Sequence, residues 1–112
     1  MTTADTLRGH PFLPSADVLA TIPKLYATED TKLADKIAHL HYFVGACDWF
    51  VVEYDPDTGI AFGWADLGDP QNAELGYFSL PELQTITVSH PSGYTVVVER
   101  DLHWTPGPIP VR

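Results

Sequence analysis

The most polar cluster in the chain is Glu99-Arg100-Asp101, with His103 just beyond it. A carboxylate beside an imidazole can orient it as a general base or a metal ligand, so Glu99, Asp101 and His103 are the catalytic candidates. On a strand, Glu99 and Asp101 would share one face and Arg100 the other, so the groups converge on one substrate only across a bulge. The structural reading is preferred: Glu99 and Arg100 end a strand and pair across it, with Glu53 an available partner, fixing register. His39 and His41 stand two apart on a predicted strand and share a face, acceptable spacing for two ligands of one metal ion. A third ligand would come from Glu53, His103 or Asp48. With no cysteine partner and no HExxH motif, a solvated or aromatic-stacked face is the simpler reading.

Other motifs resolve to structure. Asp55-Pro56-Asp57 lacks the glycine and downstream glutamate of an EF-hand and reads as a turn. Glu53 and Glu74 would suit a glycosidase pair, but sequence sets no separation between them. There is no Gly-rich phosphate loop and no Gly-x-Ser-x-Gly elbow. No cofactor is implied. The single cysteine, Cys47, cannot form an internal disulfide, which fits a reducing cytosol. No cationic neighbour is evident to activate it, so it reads as a half-buried structural thiol.

The elements that must position these groups are short. Residues 1–14 carry Gly9, Pro11 and Pro14 without periodicity and read as a flexible N-terminal arm. Ser15 or Asp17 can cap a helix holding Val18, Leu19 and Ile22, which Pro23 stops. Residues 28–36 fit a loop or one helical turn. Strands are expected at 37–44, 49–54, 60–64, 75–78 and 94–99, with a further one at 85–88. Residues 55–59 form the strongest turn signal, closing a hairpin. Ser79 with Glu82 three residues on has capping-box spacing and starts a short helix through Leu83. Residues 106–112 hold three prolines and should be extended. The expected fold is α+β: a small curled antiparallel sheet of four to six strands, covered on one face, with two or three short helices. A single domain spans 15–105, and strands 37–44 and 94–99 offer edges for a homodimer or a partner strand; the state is a monomer or a homodimer.

Composition narrows the partner. The 112 residues carry 15 acidic against 6 basic side chains, a net charge of −9. Phosphate backbones and anionic membranes are repelled by such a chain, so direct nucleic-acid binding is disfavoured. No apolar run is long enough to span a membrane and no leader is visible, so a cytoplasmic location is expected. Three Trp, five Tyr and five Phe exceed what one small core holds. An aromatic patch rimmed by acid favours a protein interface, ideally with a basic protein. Its candidate residues are Tyr77 and Trp104 with Glu29, Asp30, Glu53 and Arg100.

Several runs occur together: Ile22-Pro23-Lys24-Leu25-Tyr26-Ala27-Thr28-Glu29-Asp30, then Asp35-Lys36-Ile37, then Val52-Glu53-Tyr54-Asp55. They are followed by Glu74-Leu75-Gly76-Tyr77-Phe78-Ser79-Leu80 with Glu82-Leu83, and by Val98-Glu99-Arg100-Asp101-Leu102-His103. Across roughly residues 18–106 this combination resembles the domain of unknown function 2958 family, small proteins of plasmids, conjugative elements and phages. The resemblance implies a small α+β domain of mobile-element origin; it brings no catalytic or binding residue with it. The expectation is a non-enzymatic acidic protein-binding module that modulates a host nucleic-acid-handling or defence protein. The alternatives are an accessory protein of plasmid transfer or replication, and a small metal-dependent hydrolase built on Glu99, Asp101 and His103.

Overall fold

The computed structural model describes residues 3–111. The fold is α+β. Its centre is a five-stranded antiparallel sheet in the order β5-β4-β3-β2-β8. These strands are β2 (Leu40–Val44), β3 (Cys47–Tyr54), β4 (Ile60–Leu67), β5 (Glu74–Ser79) and β8 (Glu99–Arg100). Two small ribbons flank it. One pairs β1 (Ile37–Ala38) with β9 (Gly107–Pro108), the other β6 (Thr87–Ser89) with β7 (Thr95–Val97). Among the described residues there are three short α-helices, α1 (Thr3–Arg8), α2 (Ala16–Leu19) and α3 (Leu80–Thr85), and two single 3-10 turns, Leu33–Asp35 and Pro70–Asn72.

Local chemistry explains the turns and caps. Between β3 and β4, Asp55 accepts from the backbone N–H of Asp57 through Oδ1 and from the Thr58 hydroxyl through Oδ2. Gly59 takes the positive φ (77°) that an L-residue side chain resists. Ser79 Oγ accepts from the Glu82 N–H at 3.2 Å and starts α3, with Pro81 inside the first turn. Ser15 does the same for α2.

One irregularity sets both faces of the sheet. Along β3–β4 the pairs run Phe50↔Trp64 and Val51↔Gly63, then jump to Glu53↔Phe62. Val52 is therefore the extra residue of a β-bulge. Without it Glu53 would alternate onto the face of Trp49 and Val51. With it, Glu53 joins Phe50, Phe62 and Trp64. The same jump places Asp48 opposite Asp66; continued in the register of the turn, Asp48 would meet Leu67. Gly63 permits the close approach, since a Cβ there would sit 1.8 Å from the Phe50 carbonyl oxygen.

The main core lies on one face, where Tyr42, Trp49, Val51, Tyr54 and Ala61 pack against Phe12, Ile22, Leu80, Leu83 and Val98. Burying each large side chain contributes about 1.5–3 kcal/mol. The other face carries a smaller cluster, Ala38, Phe50, Val52 and Ile109, with Trp64, Leu75 and Trp104 against it. The sheet is thus covered on both faces, where cover on one was expected, because β1 and the tail fold back over the second.

Other expectations are corrected as well. Residues 3–14 are docked. Arg8, 4% exposed, donates to Val98 O at 2.7 Å and Gln84 O at 2.8 Å, and Phe12 stacks on Tyr42. The tail is extended but docked through β9 and the buried Ile109. Residues 1–2 of the expected arm and residue 112 of the tail lie outside the described residues. The strand expected at 37–44 breaks at His39, where the chain changes partner from β9 to β3 and β8. The strand expected at 94–99 splits at Val98 into β7 and β8, and that at 85–88 is β6. Neither β2 nor β7 is an edge of the main sheet; its edges are β5 and the short β8.

Candidate functional site

The second face of the sheet carries two polar sites, one at each end of the bulged strand pair. The first forms around Glu53, only 2% exposed. Its Oε1 accepts from the Tyr26 N–H at 2.7 Å, and its Oε2 from the Thr28 N–H at 2.9 Å and from the Thr28 hydroxyl. Lys36, 5% exposed, donates from Nζ to Thr28 O at 2.6 Å and Thr28 Oγ1 at 3.1 Å. Its ammonium also lies 5.8 Å from the centre of the Phe62 ring, a cation–π contact. A buried carboxylate and a buried ammonium thus meet through Thr28, which satisfies both.

This lock holds a loop of consecutive turns, with Ala27 N donating to Lys24 O, Glu29 N to Tyr26 O and Thr31 N to Thr28 O. Tyr26 is its strained member. It has φ 71°, the one positive φ at a non-glycine residue among the described residues. That conformation costs about 1–2 kcal/mol in an L-residue, and the Glu53 bond to the Tyr26 N–H holds it. The Tyr26 side chain points outward, 62% exposed, with its ring 6.3 Å from that of Tyr77, itself 55% exposed. Tyr77 leans on Phe62 at 4.9 Å. Local desolvation first, then Tyr26 and the charges of Glu53 and Glu29, push the Tyr77 phenol upward. A cavity of about 330 Å³ lies beneath, lined by Glu29, Leu33 and Leu75 among others.

The second site forms around His41. Its ring stacks on Phe50 at 4.4 Å and meets the edge of Trp104 at 5.6 Å. Nε2 lies 2.7 Å from Asp48 and Nδ1 3.0 Å from Asp101. Both contacts are hydrogen bonds only when both nitrogens donate. Burial works to raise Asp101, but hydrogen bonds from His41 and the His103 N–H outweigh it and leave its carboxyl below the usual carboxylate range. Trp104 is fixed by its indole N–H, which donates to Ala38 O at 2.9 Å.

The predicted residues distribute as follows. Glu29, Glu53 and Tyr77 meet at the first site; Asp30 lies exposed on the same loop. Asp101 and Trp104 meet at the second, with His41. Glu99, Asp101 and His103 do not converge. Glu99 turns to His10 at 3.5 Å, Asp101 to His41, and His103 is exposed, meeting Asp101 through its backbone. Arg100 pairs neither with Glu99 nor with Glu53; it reaches Pro11 O at 3.3 Å. His39 and His41 line different cavities, and burial holds His39 below its ordinary value. Among the described residues no three His, Cys, Asp or Glu side chains are placed to hold a metal ion. Cys47 is half-buried, and burial, then Asp48 and Asp66, push its thiol up, away from the reactive thiolate.

Sequence reasoning did not single out Tyr26, Thr28 and Lys36 as one unit, although all three lie in the runs shared with the resembled family. It also missed Asp66, whose position opposite Asp48 depends on the bulge. Gly63 inside an otherwise apolar strand was the available signal for that bulge.

No helix among the described residues is long and apolar enough to cross a membrane. No curated protein and no solved structure matches the chain. The family described as protein of unknown function (DUF2958) matches residues 17–109, which takes in every strand and both polar sites, and the chain belongs to that family.

Proposed function

We infer that this protein is a non-enzymatic, acidic protein-binding module of a mobile genetic element. In this reading it docks a basic host protein that handles nucleic acid or serves in defence, and modulates or inhibits it. The observation that carries the reading is Tyr26. A bulky aromatic is held at positive φ and faces solvent, and a buried carboxylate is committed to keeping it there. Strain of this kind persists only where surrounding structure over-determines it, and it clusters at binding sites. Exposed tyrosines supply contact area at low entropic cost. Here they are accompanied by Glu29 and Asp30.

Charge supports a basic partner. Among the described residues two cations, Arg8 and Lys36, are buried, against one carboxylate, Glu53. Folding thus withdraws more positive than negative charge from the surface. A groove that binds nucleic acid is the complementary partner surface.

The test is affinity capture from host lysate with the full chain and with Tyr77→Ala, whose exposed site leaves the fold intact. The reading expects a basic nucleic-acid-handling protein that is retained by the native chain, released at high salt and lost with Tyr77→Ala. Capture insensitive to both salt and Tyr77 would count against it. A relaxase or primase of the element itself in the same role would favour the accessory-protein alternative. The hydrolase alternative receives no support from Glu99, Asp101 and His103, which point to different neighbours.

A further inference from the structure

The His41 end of the sheet encloses a cavity that the docking surface does not use. Its volume is about 190 Å³, below the roughly 300–1,000 Å³ that drug-sized ligands occupy. It suits the tip of a side chain, not a nucleotide or a cofactor. Its walls are the aromatic rings of Phe50, Trp64 and Trp104, and its acids are Asp48, Asp66 and Asp101. Even with both His41 nitrogens donating, one imidazolium stands against three carboxylates. Asp48 and Asp66 also sit directly opposite each other across β3–β4. Like charges so placed cost a sheet stability, and no cation bonded to Asp66 offsets them; its hydrogen bond comes from the Gly68 N–H at 3.0 Å. A local rule broken without structural gain is characteristic of a binding site.

We propose that this cavity receives the guanidinium of an arginine side chain carried by a partner polypeptide. Guanidinium is planar and weakly hydrated; it stacks on aromatic faces and forks onto carboxylates, and the cavity offers both. A lysine ammonium is compact and strongly hydrated and gains less from flat aromatic walls. Free arginine is a poorer ligand, because the three carboxylates that attract its guanidinium repel its α-carboxylate. The site uses different residues from the Tyr26–Tyr77 surface and stands independently of the function proposed above.

The experiment titrates the full chain with capped tripeptides that differ only in the central residue: arginine, its neutral isostere citrulline, or lysine. The indole N–H signals of Trp64 and Trp104 are followed by NMR. The arginine peptide should shift both signals and saturate at about tenfold lower concentration than either other peptide. Asp66→Asn and Asp101→Asn should each weaken it while the chain stays folded by circular dichroism. Tyr77→Ala should leave it unchanged. Equal binding of citrulline, or no shift with any peptide, would overturn the cation site. Equal binding of lysine would overturn the guanidinium preference, and tighter binding of free arginine would overturn the polypeptide source. Loss in Tyr77→Ala would overturn the assignment to this cavity.

Discussion

The two ends of one sheet face treat charge in opposite ways. Around Glu53 every oxygen of the carboxylate is used inward, on two backbone N–H groups and a hydroxyl, and the ammonium of Lys36 completes the set through Thr28. Around His41 the carboxylates outnumber the cations, and two of them face each other across a pair of strands. The first end is a lock: its charges hold a strained tyrosine in place. The second is an imbalance that a bound cation would relieve. Substitution separates the two, since removing charge from a lock weakens the fold, whereas removing the charge of Asp66, which no cation meets, strengthens it.

The largest effect should strike both ends at once. Gly63→Ala puts a Cβ into the Phe50 carbonyl at a position where backbone, not a movable side chain, is the obstacle. The bulge must then shift or unpair. A loss of about 3 kcal/mol or more is expected from such overpacking, read as a lower urea midpoint. Both the Tyr26 loop and the Asp48–Asp66 register should be disturbed, visible as NMR shifts at both ends. A mild, one-ended effect would mean that the bulge is not the shared origin of the two sites.

Next comes Glu53→Ala. It strands the Tyr26 and Thr28 N–H groups and leaves Lys36 buried beside an emptied lock. Hydrogen bonds to charged groups contribute about 1.5–3 kcal/mol each, so a net loss of about 3 kcal/mol is expected by urea unfolding. Glu53→Gln, which keeps one acceptor oxygen, should fall between native and Ala. A Glu53→Ala chain as stable as the native one would reduce the lock to a surface contact.

Ser79→Ala serves as the neutral reference. It removes a helix cap that belongs to neither end and should cost about 1 kcal/mol, without altering partner capture or the Trp64 and Trp104 signals. This cap was legible because its signal is local: a serine, a proline and a glutamate at fixed offsets. The 55–59 turn was legible for the same reason, since Asp55 and Gly59 need no distant partner. Strand existence and the α+β class followed from apolar and branched runs. What failed to show was long-range. The stretch 49–54 contains nothing that marks Val52 as an extra residue, so Glu53 could not be assigned a face. The docking of 3–14 depends on Arg8 reaching carbonyls of Gln84 and Val98, far along the chain. His41 finds Asp101 only because β8 lies beside β2, an order that alternation along a single strand does not encode.

The smallest predicted effect discriminates best between the two ends. Asp66→Asn keeps an oxygen that can accept from the Gly68 N–H, so the local turn survives. It removes one of two like charges that stand directly opposite, an arrangement worth roughly 0.2–1 kcal/mol in a sheet. The variant should therefore be more stable than the native chain by about 0.5 kcal/mol, read as a raised urea midpoint with an unchanged slope. The gain should shrink as salt rises, because both carboxylates are reached by solvent and screening already weakens their repulsion. A loss of stability would show that Asp66 holds a structural bond beyond the one to Gly68, and the His41 end would then be a second lock. A gain would mean that the native chain keeps a charge its fold does not need, as expected of a residue retained for binding.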